Sequence, residues 1–219
     1  MKVLLFGATG MVGQGVLREC LLDSGVERVT AVGRTGTGRH EPKLGELVVP
    51  DVANLGGIEG ELAGYDACFF CLGVSSLGMP EPRYTQLTYD LTLSVARAVA
   101  RCSPGLTFVY VSGAGTDSSE RGRSMWARVK GRTENELLRL PFKAAYMFRP
   151  GAILPLHGVR SRTRWIRWLY ALAAPIAPAW RALLPDSITT TEQVGRAMLR
   201  VVRDGYPTRI LETRDINRL

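Results

Sequence analysis

Apolar positions along the chain form short continuous runs that alternate with longer amphipathic stretches. The runs Val3–Phe6, Ala67–Leu72 and Leu106–Val111 carry no charged residue, which is typical of strands buried on both faces of a parallel sheet. The stretches between such runs place apolar residues three and four positions apart, as amphipathic helices do. This alternation predicts βαβ units, with helices on both faces of a parallel sheet.

The pattern predicts six strands, five helices and a last short strand. The predicted strands are Val3–Phe6, Arg28–Val32, Leu47–Val49, Ala67–Leu72, Leu106–Val111, Ala144–Phe148 and Ile210–Glu212. The predicted helices are Gly13–Leu22, Gly56–Leu62, Tyr84–Arg101, Ser124–Leu140 and Gly195–Asp204. The fold class is therefore α/β, a Rossmann-type doubly wound parallel sheet.

The alternation of predicted strands and helices is interrupted between residues 151 and 190. This segment holds four prolines, three tryptophans and five arginines. An insertion near the carboxyl ends of the strands is where α/β proteins place ligand specificity. We therefore expect one domain over residues 1–219, with residues 151–190 forming a small C-terminal cap on the substrate side.

Composition and charge exclude several classes of protein. With 219 residues, 46% hydrophobic and 22% charged, the chain can bury a substantial core, which argues against a disordered or fibrous protein. The net charge of +8 comes mainly from arginine and favours anionic ligands such as phosphates. No apolar stretch reaches the ~18 residues that a membrane span needs, and the first apolar run is too short for a signal peptide.

The four cysteines are too few and too irregularly spaced for a secreted disulfide scaffold. Cys68 and Cys71 have the spacing of a redox or zinc pair, but they lie in a predicted buried strand, where residues three apart point to opposite faces. Free core cysteines are therefore favoured, in a reduced, cytoplasmic setting. His40 and His157 are the only histidines, so no metal site is predicted.

The strongest motif lies between the first strand and the first helix and reads Gly7-Ala8-Thr9-Gly10-Met11-Val12-Gly13. Gly7 permits the tight turn, Gly10 lets the backbone approach a pyrophosphate, and Gly13 lets helix and strand pack closely. The helix N-terminus adds unpaired N–H groups and positive potential. This context predicts a dinucleotide site contacted by Gly7, Thr9, Gly10, Met11, Val12 and Gly13.

With this loop at its start, the sequence resembles the short-chain dehydrogenase/reductase superfamily, whose extended and atypical members commonly begin the loop with Gly-Ala-Thr-Gly. The resemblance covers nearly the whole chain. The nearest likeness is to the atypical group around the Tat-interacting oxidoreductase-like and NmrA-like proteins. It implies an NAD(P)-binding Rossmann fold with oxidoreductase or epimerase-like chemistry.

The residues that follow the second strand favour NADP(H) over NAD(H). NAD-binding proteins usually place Asp or Glu there for the ribose 2′-OH, and none is present. Arg34, alone or with Arg39, can instead pair with a 2′-phosphate. The resemblance implies further contacts with the adenosine from Asp51, Val52, Leu72 and Gly73. A purely turn-forming Asp51 is the alternative.

Family members that transfer hydride use Tyr-x-x-x-Lys on a helix and a Ser or Thr after the fifth strand. The resemblance assigns these roles to Lys130 and Ser112. The alternative is that Gly113, and not Ser112, occupies the position of the catalytic hydroxyl. Trp126 occupies the tyrosine position, and an indole has no accessible proton to exchange. Pro150 belongs to an Arg-Pro segment that resembles the one passing the nicotinamide.

Tyrosines elsewhere in the chain are candidate replacements for the missing acid, with packing as the alternative. They are Tyr84, Tyr89 and Tyr110.

Two functions fit these residues. The first is an NADP(H)-dependent oxidoreductase or epimerase-like enzyme with a small carbonyl substrate, and the second is a dinucleotide-binding regulatory or interaction protein that has lost its catalytic acid. Arginines and aromatic residues alternate within residues 160–184, which fits a lid or a packing helix better than membrane-surface contact. Nucleic-acid binding is not predicted, and the substrate, the physiological partner and the oligomeric state stay open.

Overall fold

The computed structural model of the protein describes residues 1–159 and 186–219. Its strands are β1 (Lys2–Phe6), β2 (Arg28–Gly33), β3 (Leu44–Val48), β4 (Ala67–Phe70), β5 (Thr107–Val111), β6 (Ala144–Arg149), β7 (Ala152–Leu154), β8 (Ile188–Thr190) and β9 (Ile210–Glu212). Seven of them form one parallel sheet in the order β3-β2-β1-β4-β5-β6-β9. Strand order reverses between β1 and β4, which creates the crevice where such folds bind ligands. The predicted α/β, doubly wound parallel sheet is confirmed.

The helices cover both faces of this sheet. Among the described residues they are α1 (Met11–Leu22), α2 (Glu81–Thr85), α3 (Leu91–Cys102), α4 (Met125–Arg139), α5 (Thr191–Asp204) and α6 (Thr213–Arg218). The middle of β1 has no polar residue because both of its faces are covered by helices. Val3 and Leu5 belong to the core layer that contains α1 and α5, whereas Leu4 and Phe6 belong to the opposite layer with α3 and α4.

The predicted helix Tyr84–Arg101 is longer and less uniform in the structure. It begins at Glu81, with Pro82 in the first turn, where the missing N–H of proline is no loss. A π-helical turn over Gln86–Asp90 then separates α2 from α3. The predicted helix Gly56–Leu62 shortens to one 3₁₀ turn, Glu59–Leu62.

β3 begins at Leu44, three residues before the predicted start, because Leu44 pairs with Val29 of β2. β3 is an edge strand, so it has no continuous apolar run to mark its length. α5 likewise begins before the predicted Gly195, since the Thr190 hydroxyl accepts from the Gln193 N–H at 3.0 Å and caps the helix.

The short elements β7, β8 and α6 were not predicted. β7 and β8 pair with each other as a separate parallel ribbon and belong to the segment 151–190 assigned to the cap. Residues 160–185 of that segment, with nearly all of its basic and aromatic positions, lie outside the described residues. Within residues 1–159 and 186–219, no helix has the length and hydrophobicity to cross a bilayer.

The four cysteines are free, as the sequence predicts. Cys20 and Cys68 are buried, and burial raises the pKa of the Cys71 thiol to about 12. Thiols that ionise so poorly are weak nucleophiles and weak metal ligands. In the described part of the chain, no cluster of three or more His, Cys, Asp or Glu side chains could hold a metal ion.

Candidate functional site

The glycine loop makes a tight turn between β1 and α1. Gly7 has a φ of +87°, in the left-handed region that favours glycine, and its carbonyl accepts from the Gly10 N–H at 2.9 Å. A Cβ on Gly13 would lie 2.0 Å from the Gly7 oxygen, so only glycine allows this contact. A Cβ on Gly10, in contrast, would meet one described atom within 4 Å, the Gly7 oxygen at 3.3 Å. Gly13 therefore closes the loop, while the space beside Gly10 is open for a ligand.

The N-terminus of α1 follows directly on this open space. No side chain of the described residues caps it, and its first turn holds no acidic residue. The first backbone hydrogen bond of the helix is donated by the Gln14 N–H to the Gly10 carbonyl at 2.8 Å. The preceding N–H groups, those of Met11, Val12 and Gly13, are the ones that helix geometry leaves for an anion. A pyrophosphate fits this loop both sterically and electrostatically.

A cleft runs from the glycine loop along the ends of β2 and β3. Its lining includes Gly7, Thr9, Gly33, Arg34, Thr37, Glu46, Val48, Val52 and Leu72. Val48, which is 60% exposed, and Leu72 offer apolar surface of the kind that a flat base requires. The Arg34 guanidinium is exposed and has no hydrogen bond or ion pair within the described residues. Arg34, Val52 and Leu72, three of the residues predicted to contact a dinucleotide, thus lie along one cleft.

Asp51 and Gly73 are exposed and do not line this cleft. Asp51 Oδ1 accepts from the Ala53 N–H at 2.9 Å, which is the turn-forming role given above as the alternative to adenine contact. Arg39 also lies outside the lining and pairs with Glu41 at 3.5 Å. Of the two arginines named for a 2′-phosphate, Arg34 is the one that lines this cleft.

Glu46 is a cleft residue that the sequence analysis missed. It comes from the middle of β3, and its carboxylate accepts from the Thr37 N–H at 2.7 Å and from the Thr37 hydroxyl at 2.5 Å. These hydrogen bonds hold the pKa of Glu46 below its usual range, so the group is charged at neutral pH. An acid does therefore face this cleft, although none directly follows β2 in the sequence.

The residues assigned to catalysis converge at the ends of β5 and β6. Lys130 on α4 donates a hydrogen bond from Nζ to the Ser112 carbonyl oxygen. A Cβ on Gly113 would lie 3.8 Å from that Nζ and 4.0 Å from the Pro150 carbonyl oxygen. Burial lowers the pKa of Lys130 to about 8, while the Glu134 carboxylate acts in the opposite direction. Lys130, Gly113 and Pro150 thus border one space.

The Ser112 hydroxyl does not open into that space. The hydroxyl donates to Glu134 Oε1 at 2.5 Å, its oxygen lies 3.0 Å from the Phe148 carbonyl oxygen, and the residue is 6% exposed. The resemblance assigns this hydroxyl to the substrate, but the structure turns it into the interior. Residue 113, a glycine, occupies the position that faces Lys130 Nζ.

Trp126 lies one helical turn before Lys130 on α4 and is partly buried. A Cβ on Gly115 would come within 3.5 Å of the Trp126 ring, so the indole lies along the loop that follows β5. This places it on the lysine's side of the helix, where the family has its tyrosine. Its N–H can donate a hydrogen bond, but it cannot exchange a proton at ordinary pH.

The three tyrosines named as substitute acids are engaged in packing. Tyr84 and Tyr110 are 2% and 1% exposed, and burial raises the pKa of both phenols. Tyr89 is partly buried, with the Arg132 guanidinium 4.3 Å from its ring centroid. Because a catalytic acid must reach the substrate and titrate near neutral pH, Tyr84 and Tyr110 are unsuited to that role.

A second missed residue, Glu134, lies beneath this site. Its side chain is fully buried and pairs with Arg149, whose Nη2 lies 2.5 Å from Glu134 Oε2. The same Nη2 donates to the Ser118 hydroxyl at 2.5 Å, and Nη1 lies 3.3 Å from Glu212. The sequence signal was available, since Glu134 stands three residues before Leu137 on the buried stripe of α4.

Comparisons with known proteins show which sequences this chain is similar to. No family model matches the chain. It is 25% identical over 200 residues to HTATIP2 of Rattus norvegicus, which covers 86% of this chain and 81% of that protein. It is 30% identical over 156 residues to the mitochondrial protein FMP52 of Eremothecium gossypii, which covers 70% of this chain and 67% of that protein.

The chain belongs to the FMP52 family of atypical short-chain dehydrogenases/reductases. Among solved structures, it is similar to the Bordetella bronchiseptica enzyme WbmF in complex with NAD⁺, with a TM-score of 0.69 and 16% identity over 99% of this chain and 76% of that one. That similarity shows the shared fold. Family membership makes the chain an NAD(P)-binding Rossmann protein of the oxidoreductase type.

Proposed function

We propose that the chain binds NADP(H) along the carboxyl edge of its sheet and acts as an oxidoreductase or epimerase-like enzyme on a small carbonyl substrate. The observation that carries the proposal is the cleft beside α1, where the open backbone at Gly10 lies along one surface with the Arg34 guanidinium, which has no hydrogen bond or ion pair among residues 1–159 and 186–219. The first suits a pyrophosphate and the second a 2′-phosphate. A cytoplasmic, reducing location belongs to the proposal and is in keeping with the four free cysteines.

Each end of the site would act on a different part of the ligand. The N–H groups at the start of α1 bind the pyrophosphate, and Val48, Val52 and Leu72 exclude water from the adenine. Lys130 holds the nicotinamide ribose through its ammonium group, and the Pro150 carbonyl borders the same space. The nicotinamide, when bound, supplies or accepts a hydride.

A second function is favoured by Trp126 and by the burial of Tyr84 and Tyr110. Tyr84 and Tyr110 are too buried to donate a proton to a carbonyl oxygen, and Trp126 stands where the family has its tyrosine, so the described residues keep the binding cleft without the family's usual general acid. That combination fits a regulatory or interaction protein that senses a dinucleotide. Turnover of carbonyl substrates by the unmodified protein separates the two functions.

Arg34→Ala is expected to erase a preference for NADPH over NADH. A hydrogen-bonded pair between Arg34 and the 2′-phosphate contributes about 1.5–3 kcal/mol, or roughly ten- to a hundredfold in affinity. Calorimetric titration of both dinucleotides measures the ratio, and NADH affinity should hardly change. Arg39→Ala is the matched control, because Arg39 pairs with Glu41 outside the cleft. Equal affinities in the unmodified protein contradict the NADP(H) proposal.

Glu46→Gln is expected to strengthen NADPH binding by roughly two- to fivefold, since it removes a negative charge from the cleft that receives the 2′-phosphate. The amide oxygen can still accept from Thr37, so the loop should keep its shape. NADH affinity, measured in parallel, serves as the internal control. The gain should shrink in high salt, which screens exposed charges. A weaker NADH complex would instead mean that Glu46 itself binds the ribose 2′-OH, as in an NAD-specific site.

A further inference from the structure

The buried pair of Glu134 and Arg149 calls for an explanation, because such pairs often add little stability compared with apolar residues of the same size. Glu134 is 0% exposed and Arg149 is 9% exposed. The guanidinium meets the carboxylate at both oxygens, with Nε 3.1 Å and 3.2 Å from them. The pair lies at the ends of β5 and β6, directly behind the space that Lys130 borders.

Ser112 connects this pair to Lys130. Its hydroxyl donates to Glu134, its N–H donates to the Phe148 carbonyl at 2.8 Å, and its own carbonyl accepts from Lys130 Nζ. The hydrogen bonds to Glu134 and Phe148 thus hold the Ser112 peptide from the interior, independently of its hydrogen bond to Lys130. Arg149 extends the same network to the neighbouring loop through Ser118.

The charge around Lys130 also depends on Glu134. These two residues are four positions apart on α4, so they share a helix face. The elements packed beside them contribute Tyr110 from β5, Tyr84 from α2 and Arg149 from β6, of which the two phenols are neutral and the guanidinium is bound by Glu134. Burial disfavours the ammonium form of Lys130, and the Glu134 carboxylate opposes that effect.

We propose that Glu134 is a positioning residue for Lys130: it anchors the Ser112 carbonyl that orients the lysine and keeps the ammonium group charged for the dinucleotide. This inference rests on the proposed function in one respect, namely that Lys130 contacts the dinucleotide. Arg149 has the supporting role of holding the Glu134 carboxylate in place. The Ser112 hydroxyl then serves the cofactor site from the interior.

The first test measures the pKa of Lys130 without any ligand. The chain has four lysines, so NMR of protein labelled at the lysine ε-carbon resolves each titration, and Lys130→Arg identifies the signal. Glu134→Gln should lower the pKa of Lys130 by about 1 from its value near 8. Glu136→Gln is the matched control, since Glu136 stands on the same helix and pairs with Arg139 at the surface. An unchanged pKa in Glu134→Gln overturns the inference.

The second test measures NADPH affinity against pH. If only the charged lysine binds, affinity falls as pH rises through the pKa, and Glu134→Gln moves that fall to lower pH. The variant should bind about threefold more weakly at pH ~7.5, about tenfold more weakly at pH ~9, and normally below pH ~6. A purely structural role would weaken binding equally at all pH values and so overturns the inference. Glu134→Asp retains the charge and should restore most of the pH profile.

The double variant Glu134→Gln/Arg149→Met covers the case in which the single variant does not fold, because it removes both members of the buried ion pair and leaves neither of them without the other. The pKa of Lys130 should again be lower than in the unmodified protein, and an unchanged value overturns the inference. Failure of the unmodified protein to bind either dinucleotide contradicts the proposed function instead. The lysine titration still decides the role of Glu134 in that case.

Discussion

Gly10→Val should abolish dinucleotide binding and leave a folded protein. A Cβ at this position meets the Gly7 oxygen at 3.3 Å and no other described atom within 4 Å, so the loop can accept a branched side chain after a shift of a few tenths of an ångström. The same side chain occupies the space through which the backbone approaches a pyrophosphate. We expect calorimetry to detect no binding at ligand concentrations that saturate the unmodified protein, with an unaltered circular dichroism spectrum.

Two other glycines provide the controls for this experiment. Gly57→Val places the same side chain in open space, since no described atom lies within 4 Å of a Cβ there, and it should bind normally. Gly13→Ala should instead damage the fold, because its Cβ would lie 2.0 Å from the Gly7 oxygen. A folded Gly10→Val protein with unaltered affinity would show that this loop does not bind phosphate.

The parts of the fold that the sequence predicted are those in which burial alone decides the structure. β1, β4 and β5 are covered on both faces, so their apolar runs mark them with errors of one or two residues. β3 is half-exposed and pairs along one edge, and its first three residues could not be recognised from hydrophobicity. β7 and β8, three residues each, are too short to show a period.

The candidate site was predictable where a ligand demands a particular backbone. The glycine loop is such a place, since its spacing follows from the turn and from the pyrophosphate. Glu46 and Glu134 were missed because a periodic pattern tells which positions are buried and does not tell which polar group a charged side chain will meet. Glu134 bonds to Arg149 and Ser112, which are 15 and 22 positions away in the chain. Only the register of β5 and β6 with α4 brings these groups together.

The direction of the Ser112 hydroxyl is another feature that the sequence pattern could not predict. Sequence spacing places a serine directly after β5, as the family requires. It does not decide whether Ser112 or Gly113 occupies the position of the catalytic hydroxyl. A shift of one residue at the end of a strand turns a side chain to the opposite face. The direction of the hydroxyl therefore follows from the Glu134 carboxylate that receives it, which the spacing does not reveal.

Trp126→Tyr should raise the rate of hydride transfer to a carbonyl substrate by roughly a hundred- to ten-thousandfold, the usual contribution of a general acid. The new phenol would stand on the helix face of Lys130, in place of an indole that lies along Gly115. The nearby ammonium favours the phenolate and lowers the phenol's pKa below its ordinary value near ~10. The decrease in NADPH absorbance over a panel of small carbonyl compounds measures the rate.

The pH dependence and a matched variant identify the source of that gain. Reduction needs the protonated phenol, so the rate of Trp126→Tyr should fall as pH rises through the lowered pKa. Trp126→Phe supplies an aromatic ring without a proton and should remain as slow as the unmodified protein. Equal gains in the two variants would mean that the smaller ring merely opens the site. Unmodified protein that already turns over at ~1–1,000 per second would show that another group donates the proton, and the regulatory function would then be wrong.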